Sequence, residues 1–208
     1  MNTYARKVTV PLVVAILLFC VSAFFAVGRD MLSAEKVVFE FINNWPNELA
    51  PLFILITYLG SKWMAAGLCL ILLVIRNFRL LLRVIIIGAA TYVLIEAIKL
   101  MIARPRPIDL LNGVITRGVA ETGYGFPSGH TAITTALGLT LFWVLPGRLR
   151  WLVLPWIAGV ALSRIYLGVH SPLDIVGGLT VGTIVALGPL LFISWLRPKS
   201  SKESAEAD

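Results

Sequence analysis

Ser163-Arg-Ile-Tyr-Leu-Gly-Val-His170-Ser-Pro-Leu-Asp174 packs an arginine, a histidine and an aspartate into twelve residues, with apolar runs on both sides. Ionisable groups are costly in hydrocarbon, so residues of this kind between membrane-length apolar segments point to function by default. The spacing Ser171-Pro172-Leu173-Asp174 predicts a helix start. Serine is the N-cap, proline the first helical residue and aspartate the third, where an acid suits the helix dipole. His170 and Asp174 are four apart, within reach if the chain turns there. Such a contact would fix the imidazole tautomer and make the other ring nitrogen more basic. A capped helix start beside an incidental histidine is the blander reading, and this stretch alone leaves it open.

Two further clusters carry comparable chemistry. Lys99 is followed after six residues by Arg106-Pro107, and Pro127-Ser128-Gly129-His130 stands at the head of another apolar run. The chain contains two histidines, and both lie in these clusters.

The elements that must position these groups are membrane helices. Of the 208 residues, 58% are hydrophobic and 14% charged, against roughly a quarter charged in a soluble domain. The formal net charge of +7 does not imply nucleic acid, because the basic residues cluster at the ends of apolar segments and no aromatic-basic module is present. Cys20 and Cys69 lie inside apolar runs and read as inert packing residues. The run from Val8 to Val27 matches the ~20 residues of a membrane crossing and exceeds the ~7–15 of a signal-peptide core. Leu52 to Ile75 is a second span that Gly60-Ser-Lys62 could break. Val84 to Ile102, Thr131 to Leu145, Trp151 to Val169 and Leu173 to Leu196 follow. Val37, Val38, Phe41, Ile42 and Trp45 recur at helical spacing, which predicts an amphipathic helix lying in the interface or packed over the others. The tail over 197–208 reads as disordered.

The expected fold class is therefore all-α: one integral membrane bundle of six transmembrane helices over residues 1–208, with a motif core at 99–174. Arg6 and Lys7, then Arg76, Arg79 and Arg83, then Arg148 and Arg150, then Arg197, Lys199 and Lys202 fall on alternate connections. The positive-inside rule puts these connections and both termini in the cytoplasm, with Trp143, Trp151 and Trp195 at that interface. Lys99, Arg106, Ser128, His130, Arg164, His170 and Asp174 then share the opposite face. The Gly178–Gly182 spacing fits either a homodimer contact or close helix packing within one subunit, the second being favoured.

In order and spacing, the three clusters resemble the signature of the type 2 phosphatidic acid phosphatase superfamily of membrane lipid phosphatases. The resemblance implies that His170 attacks phosphorus to form a phosphohistidine, Asp174 orients it, and His130 protonates the leaving oxygen and then activates water. The residue chemistry agrees. Lys99, Arg106 and Arg164 supply positive charge for the equatorial phosphoryl oxygens. Ser128 and Gly129 open a helix whose free N–H groups favour an anion. No metal or other cofactor is expected, since three cationic side chains would repel a divalent ion. Arg104 reads as an interfacial anchor ahead of a site residue, Glu96 as a partner for Lys99, and Tyr124 and Phe126 as packing residues ahead of lipid-tail contacts.

The expected activity is metal-independent hydrolysis of a lipid phosphate or diphosphate whose tail stays among the membrane lipids. The enzyme would lie in a bacterial inner membrane with its site on the periplasmic or extracellular face. The topology resembles that of bacterial undecaprenyl diphosphate and phosphatidylglycerophosphate phosphatases; recycling of the first lipid requires an outward-facing enzyme, which favours it, with phosphatidate a further candidate. A phosphotransferase using the same phosphohistidine differs only in its acceptor. A vanadate haloperoxidase resembles the site but is typically soluble, and a non-catalytic lipid-binding or transport protein leaves both histidines unexplained.

Overall fold

The computed structural model describes residues 3–118 and 121–196, with side chains from residue 7 to residue 192. The expected tail 197–208 and the side chains of Arg6 and Trp195 lie outside the described residues. All regular structure among them is helical: α1 (Thr3–Val27), α2 (Ser33–Asn43), α3 (Ala50–Tyr58), α4 (Lys62–Val74), α5 (Phe78–Ile102), α6 (Pro107–Leu110), α7 (Gly129–Phe142), α8 (Val153–Tyr166) and α9 (Pro172–Leu196). Short 3-10 turns precede α3 and α8.

The stretches Lys7–Val27, Phe78–Leu110 and Pro172–Phe192 are long and apolar enough to cross a membrane. A fourth crossing arises if α3 and its preceding turn count with α4 as one span, bent by 48° at Gly60-Ser61. The bend answers the break foreseen at Gly60-Ser-Lys62. A methyl on Gly60 would stand 2.5 Å from the Val160 side chain, so the chain turns there against α8. Helices α7 and α8 have 14 residues each, or ~21 Å at ~1.5 Å per residue, short of a ~30 Å hydrocarbon core.

Helix α7 is the centre of the bundle, packed against α9, α5 and α8, while α1 lies along α9. Its small residues Thr131, Ala132, Thr135 and Ala136 are buried, and α9 meets them with glycines. A methyl on Gly178 would stand 2.7 Å from the Ser128 carbonyl oxygen, and one on Gly182 2.5 Å from that of Ala132. Within this chain, then, the glycine spacing serves close packing of α9 on α7, the arrangement small residues permit in membranes. Apolar side chains left exposed on α1, α4 and α5, such as Leu17, Phe24, Val74 and Val93, suit a lipid surround.

Helix α2 forms where the sequence predicts an amphipathic helix, but it turns a different stripe inward. Glu35, Phe39 and Asn43 are buried, whereas Val37 and Phe41 are 67% and 69% exposed. The cause is polar. Glu35 meets a buried arginine, and Asn43 bonds the Ile115 N–H and the carbonyls of Ile115 and Tyr166.

Candidate active site

Helices α5 and α8 end, and α7 and α9 begin, at one end of the bundle. That arrangement brings the three sequence clusters together, with two helix N-termini aimed at the same place. Ser128 N–H donates to the Asp174 carbonyl at 2.9 Å and so ties the start of α7 to the start of α9.

The expected start of α9 is present. Asp174 N–H approaches Ser171 Oγ at 3.4 Å, and Ser171 N–H donates to Asp174 Oδ2 at 2.9 Å. These are the reciprocal bonds of a capping box. The same Oδ2 lies 3.3 Å from His170 Nδ1. The preceding loop depends on Gly168, whose φ is +77° and where a methyl would stand 2.5 Å from the Ile115 carbonyl oxygen. With Nδ1 engaged, His170 turns Nε2 toward Arg106, whose Nη1 is 3.5 Å away. Burial, then the charges of Arg106 and Arg164, push this imidazole well below its usual 6.5. His170 is thus a neutral base at pH 7.

Arg106 is anchored by backbone carbonyls, donating to Val169 and Gly123 at 2.9 Å and to Thr122 at 3.2 Å. Arg164, in the last turn of α8, donates to Thr57 Oγ1 at 2.7 Å. Its buried Nε has no partner among the described residues. Lys99 Nζ lies 4.0 Å from where a Gly129 methyl would stand, and pairs with Glu96 at 3.2 Å as expected. Buried Ser128 accepts from Thr131 Oγ1 at 3.0 Å. His130, half-buried at the first turn of α7, lies in the field of Arg164, Glu121, Lys99 and Arg106. All eight sequence-predicted residues therefore belong to one end of the bundle. Phe126 is fully buried, whereas Tyr124 is 40% exposed rather than packed in the core.

Three residues were not foreseen as parts of this site. Arg104 is 0% exposed, not an interfacial anchor. Its Nη1 donates to Asp174 Oδ1 at 3.0 Å and Ser171 Oγ at 2.8 Å, and its Nη2 to Glu35 Oε2 at 2.8 Å and the Asp30 carbonyl at 2.9 Å. Helix α5 ends at Ala103 in a left-handed conformation, φ 50°, which turns Arg104 inward before Pro105 bars further helix. Glu35 then accepts from Leu173 N–H at 2.9 Å, so one carboxylate neutralises Arg104 and caps α9. Only the charge beside Arg106 in Arg104-Pro-Arg106-Pro hinted at this role. The third residue is Glu121. Its Oε2 is 3.2 Å from Arg106 Nη1, and its other oxygen pairs with Arg164. Burial alone would raise this carboxyl, but the neighbouring positive groups, led by Arg164, hold it at about 2.

An imidazole backed by a carboxylate and faced by two arginines suits chemistry at phosphorus, where charge develops on the equatorial oxygens. The undecaprenyl-diphosphatase of Sulfolobus acidocaldarius is 28% identical over 169 residues, 76% of this chain and 78% of that one. The crystal structure of LpxE from Aquifex aeolicus superimposes with a TM-score of 0.70 and 27% identity, covering 76% of this chain and 96% of that one. The fold is also that of a transmembrane PAP2 type phosphatidylglycerolphosphate phosphatase from Bacillus subtilis, with a TM-score of 0.73, 21% identity, and coverage of 91% and 98%. Residues 79–199, more than half of the chain, match the PAP2 superfamily, and the protein is a member of that family.

Proposed function

We propose that this protein hydrolyses a lipid phosphate or diphosphate, undecaprenyl diphosphate first among them, through a phosphohistidine on His170. The observation that carries this reading is the position of His170: Nδ1 lies 3.3 Å from Asp174 Oδ2, while Nε2 faces the Arg106 guanidinium. Nε2 attacks phosphorus as the bond to the leaving oxygen breaks, and His130 gives that oxygen its proton. Neutral His130 then takes a proton from water, whose oxygen bonds phosphorus as the N–P bond breaks. Asp174 stabilises the positive ring of the intermediate. Lys99, Arg106 and Arg164 hold the phosphoryl oxygens with the N–H of Gly129; the Ser128 N–H, expected as a second donor, is taken by the Asp174 carbonyl.

This reading takes α7 and α8, although shorter than a full hydrocarbon core, and the bent α3–α4 pair as crossings beside α1, α5 and α9, and the basic connections support cytoplasmic termini. The site then faces the periplasm or exterior of a bacterial inner membrane. The identity to an undecaprenyl-diphosphatase over 76% of the chain supports the choice of lipid. Phosphate release from undecaprenyl diphosphate, phosphatidylglycerophosphate and phosphatidate, measured side by side in detergent with excess EDTA, tests it. Release with the highest kcat/KM for undecaprenyl diphosphate is the expected result. Activity that disappears in EDTA and returns with magnesium would overturn the metal-free route.

A further inference from the structure

Glu121 belongs to none of the three motifs, yet its carboxylate sits where a substrate phosphate has to go. Its Oε2 lies 3.2 Å from Arg106 Nη1 and 3.9 Å from His170 Nε2, and its Oε1 pairs with Arg164. The arginine side chains are 5% and 3% exposed and are held by other groups: three backbone carbonyls for Arg106, the Thr57 hydroxyl for Arg164. Glu121 is 29% exposed and lies on the loop between α6 and α7. Its loss or movement therefore leaves the anion site standing. A phosphoryl group cannot come within bonding range of His170 Nε2 while that carboxylate is there.

The charges decide what displaces it. A carboxylate carries one negative charge on two oxygens. A phosphodiester headgroup likewise carries one charge on two free oxygens, so it gains little by exchange. A terminal phosphate carries about −1.5 to −2 and three free oxygens, a surplus that two fixed guanidinium groups reward. In a bilayer the site is surrounded by diester headgroups at high local concentration. An internal carboxylate that weakens every anion by a similar factor keeps those headgroups out and leaves the terminal phosphate bound.

We propose that Glu121 is a specificity-determining residue, an internal competitor that holds the Arg106–Arg164 site between turnovers. Only a terminal phosphate displaces it, and its return helps expel inorganic phosphate. The inference rests on the lipid-phosphatase reading of this site, and its test separates the two.

Equilibrium binding of radiolabelled inorganic phosphate to the detergent-solubilised full-length protein is compared for wild type, Glu121→Gln and Glu121→Ala. Both variants are expected to bind phosphate about 10–100-fold more tightly, the range set by removing one charge-assisted competitor. Short-chain phosphatidylglycerol, a diester, is expected to bind the two variants about 10–100-fold more tightly than wild type, by the same factor as phosphate. Phosphate bound equally or more weakly by both variants would show Glu121 to be a structural counter-ion and overturn the proposal, as would no binding by any of the three proteins. A protein that releases phosphate from no lipid, but whose variants bind phosphate more tightly, defeats the lipid-phosphatase reading while the competition stands.

Discussion

Arg104 Nη1 and Asp174 Oδ1 stand 3.0 Å apart with neither side chain more than 1% exposed. Arg104 reaches the same carboxylate that backs His170 through its other oxygen, and Glu35 shares the same guanidinium. Arg104 is in this sense a positioning residue. Breaking a buried pair leaves an uncompensated charge, and Arg104→Met is predicted to destabilise the protein by ~3–5 kcal/mol. Arg104→Lys keeps the charge but loses the fork geometry, and should retain intermediate stability and turnover. Thermal midpoints and kcat measured on both variants check this. A Met variant as stable and active as wild type would remove Arg104 from the network.

Asp174→Asn should leave the protein folded while slowing turnover by ~10²–10⁴-fold, since the base loses its orienting partner. His170→Ala should form no phosphoenzyme. Acid-quenched trapping of labelled phosphate on each variant measures both effects. Trapped label on the His170→Ala protein would assign the nucleophile elsewhere.

His170 is expected to titrate well below 6.5, because burial and the two arginines disfavour its charged form. Between that lowered value and 6.5 the unfolded chain binds more protons than the folded one. Stability from this group is therefore full above 6.5 and falls as the pH drops through that window. In His130→Gln a single histidine remains, so its ring NMR signals can be followed against pH. A midpoint at or above 6.5 would contradict the buried, arginine-flanked setting.

Gly182→Ala puts a methyl 2.5 Å from the Ala132 carbonyl oxygen, and overpacking of this kind costs ~1–3 kcal/mol. Gly188→Ala on the same helix meets nothing within 4 Å, so its thermal midpoint should barely move. Equal midpoints for the two variants would mean that α9 does not pack on α7 as described.

What the sequence by itself determined was local. The length of apolar runs set the C-terminal ends of α1 and α5 and both ends of α9 to within a residue, because a span is a property of consecutive residues. Helices α1 and α5 begin earlier, at Thr3 and Phe78 rather than Val8 and Val84. The capped start of α9 and the contact of His170 with Asp174 followed from residues three and four apart, which one helical turn brings together. The expectation that Lys99, Arg106, His130 and Arg164 share one face rested on the alternation of basic connections, and the structure gathers them at one end of the bundle. Residues paired across long stretches of chain were settled only by the tertiary structure. Glu35 and Arg104 meet across 69 residues, and Glu121 and Arg164 across 43. Glu35 is therefore not singled out by the sequence, and Arg104 reads there as a membrane anchor. A buried charge declares itself through the partner that neutralises it, and which partner that is depends on how α2, the α6–α7 loop and α9 fold over one another.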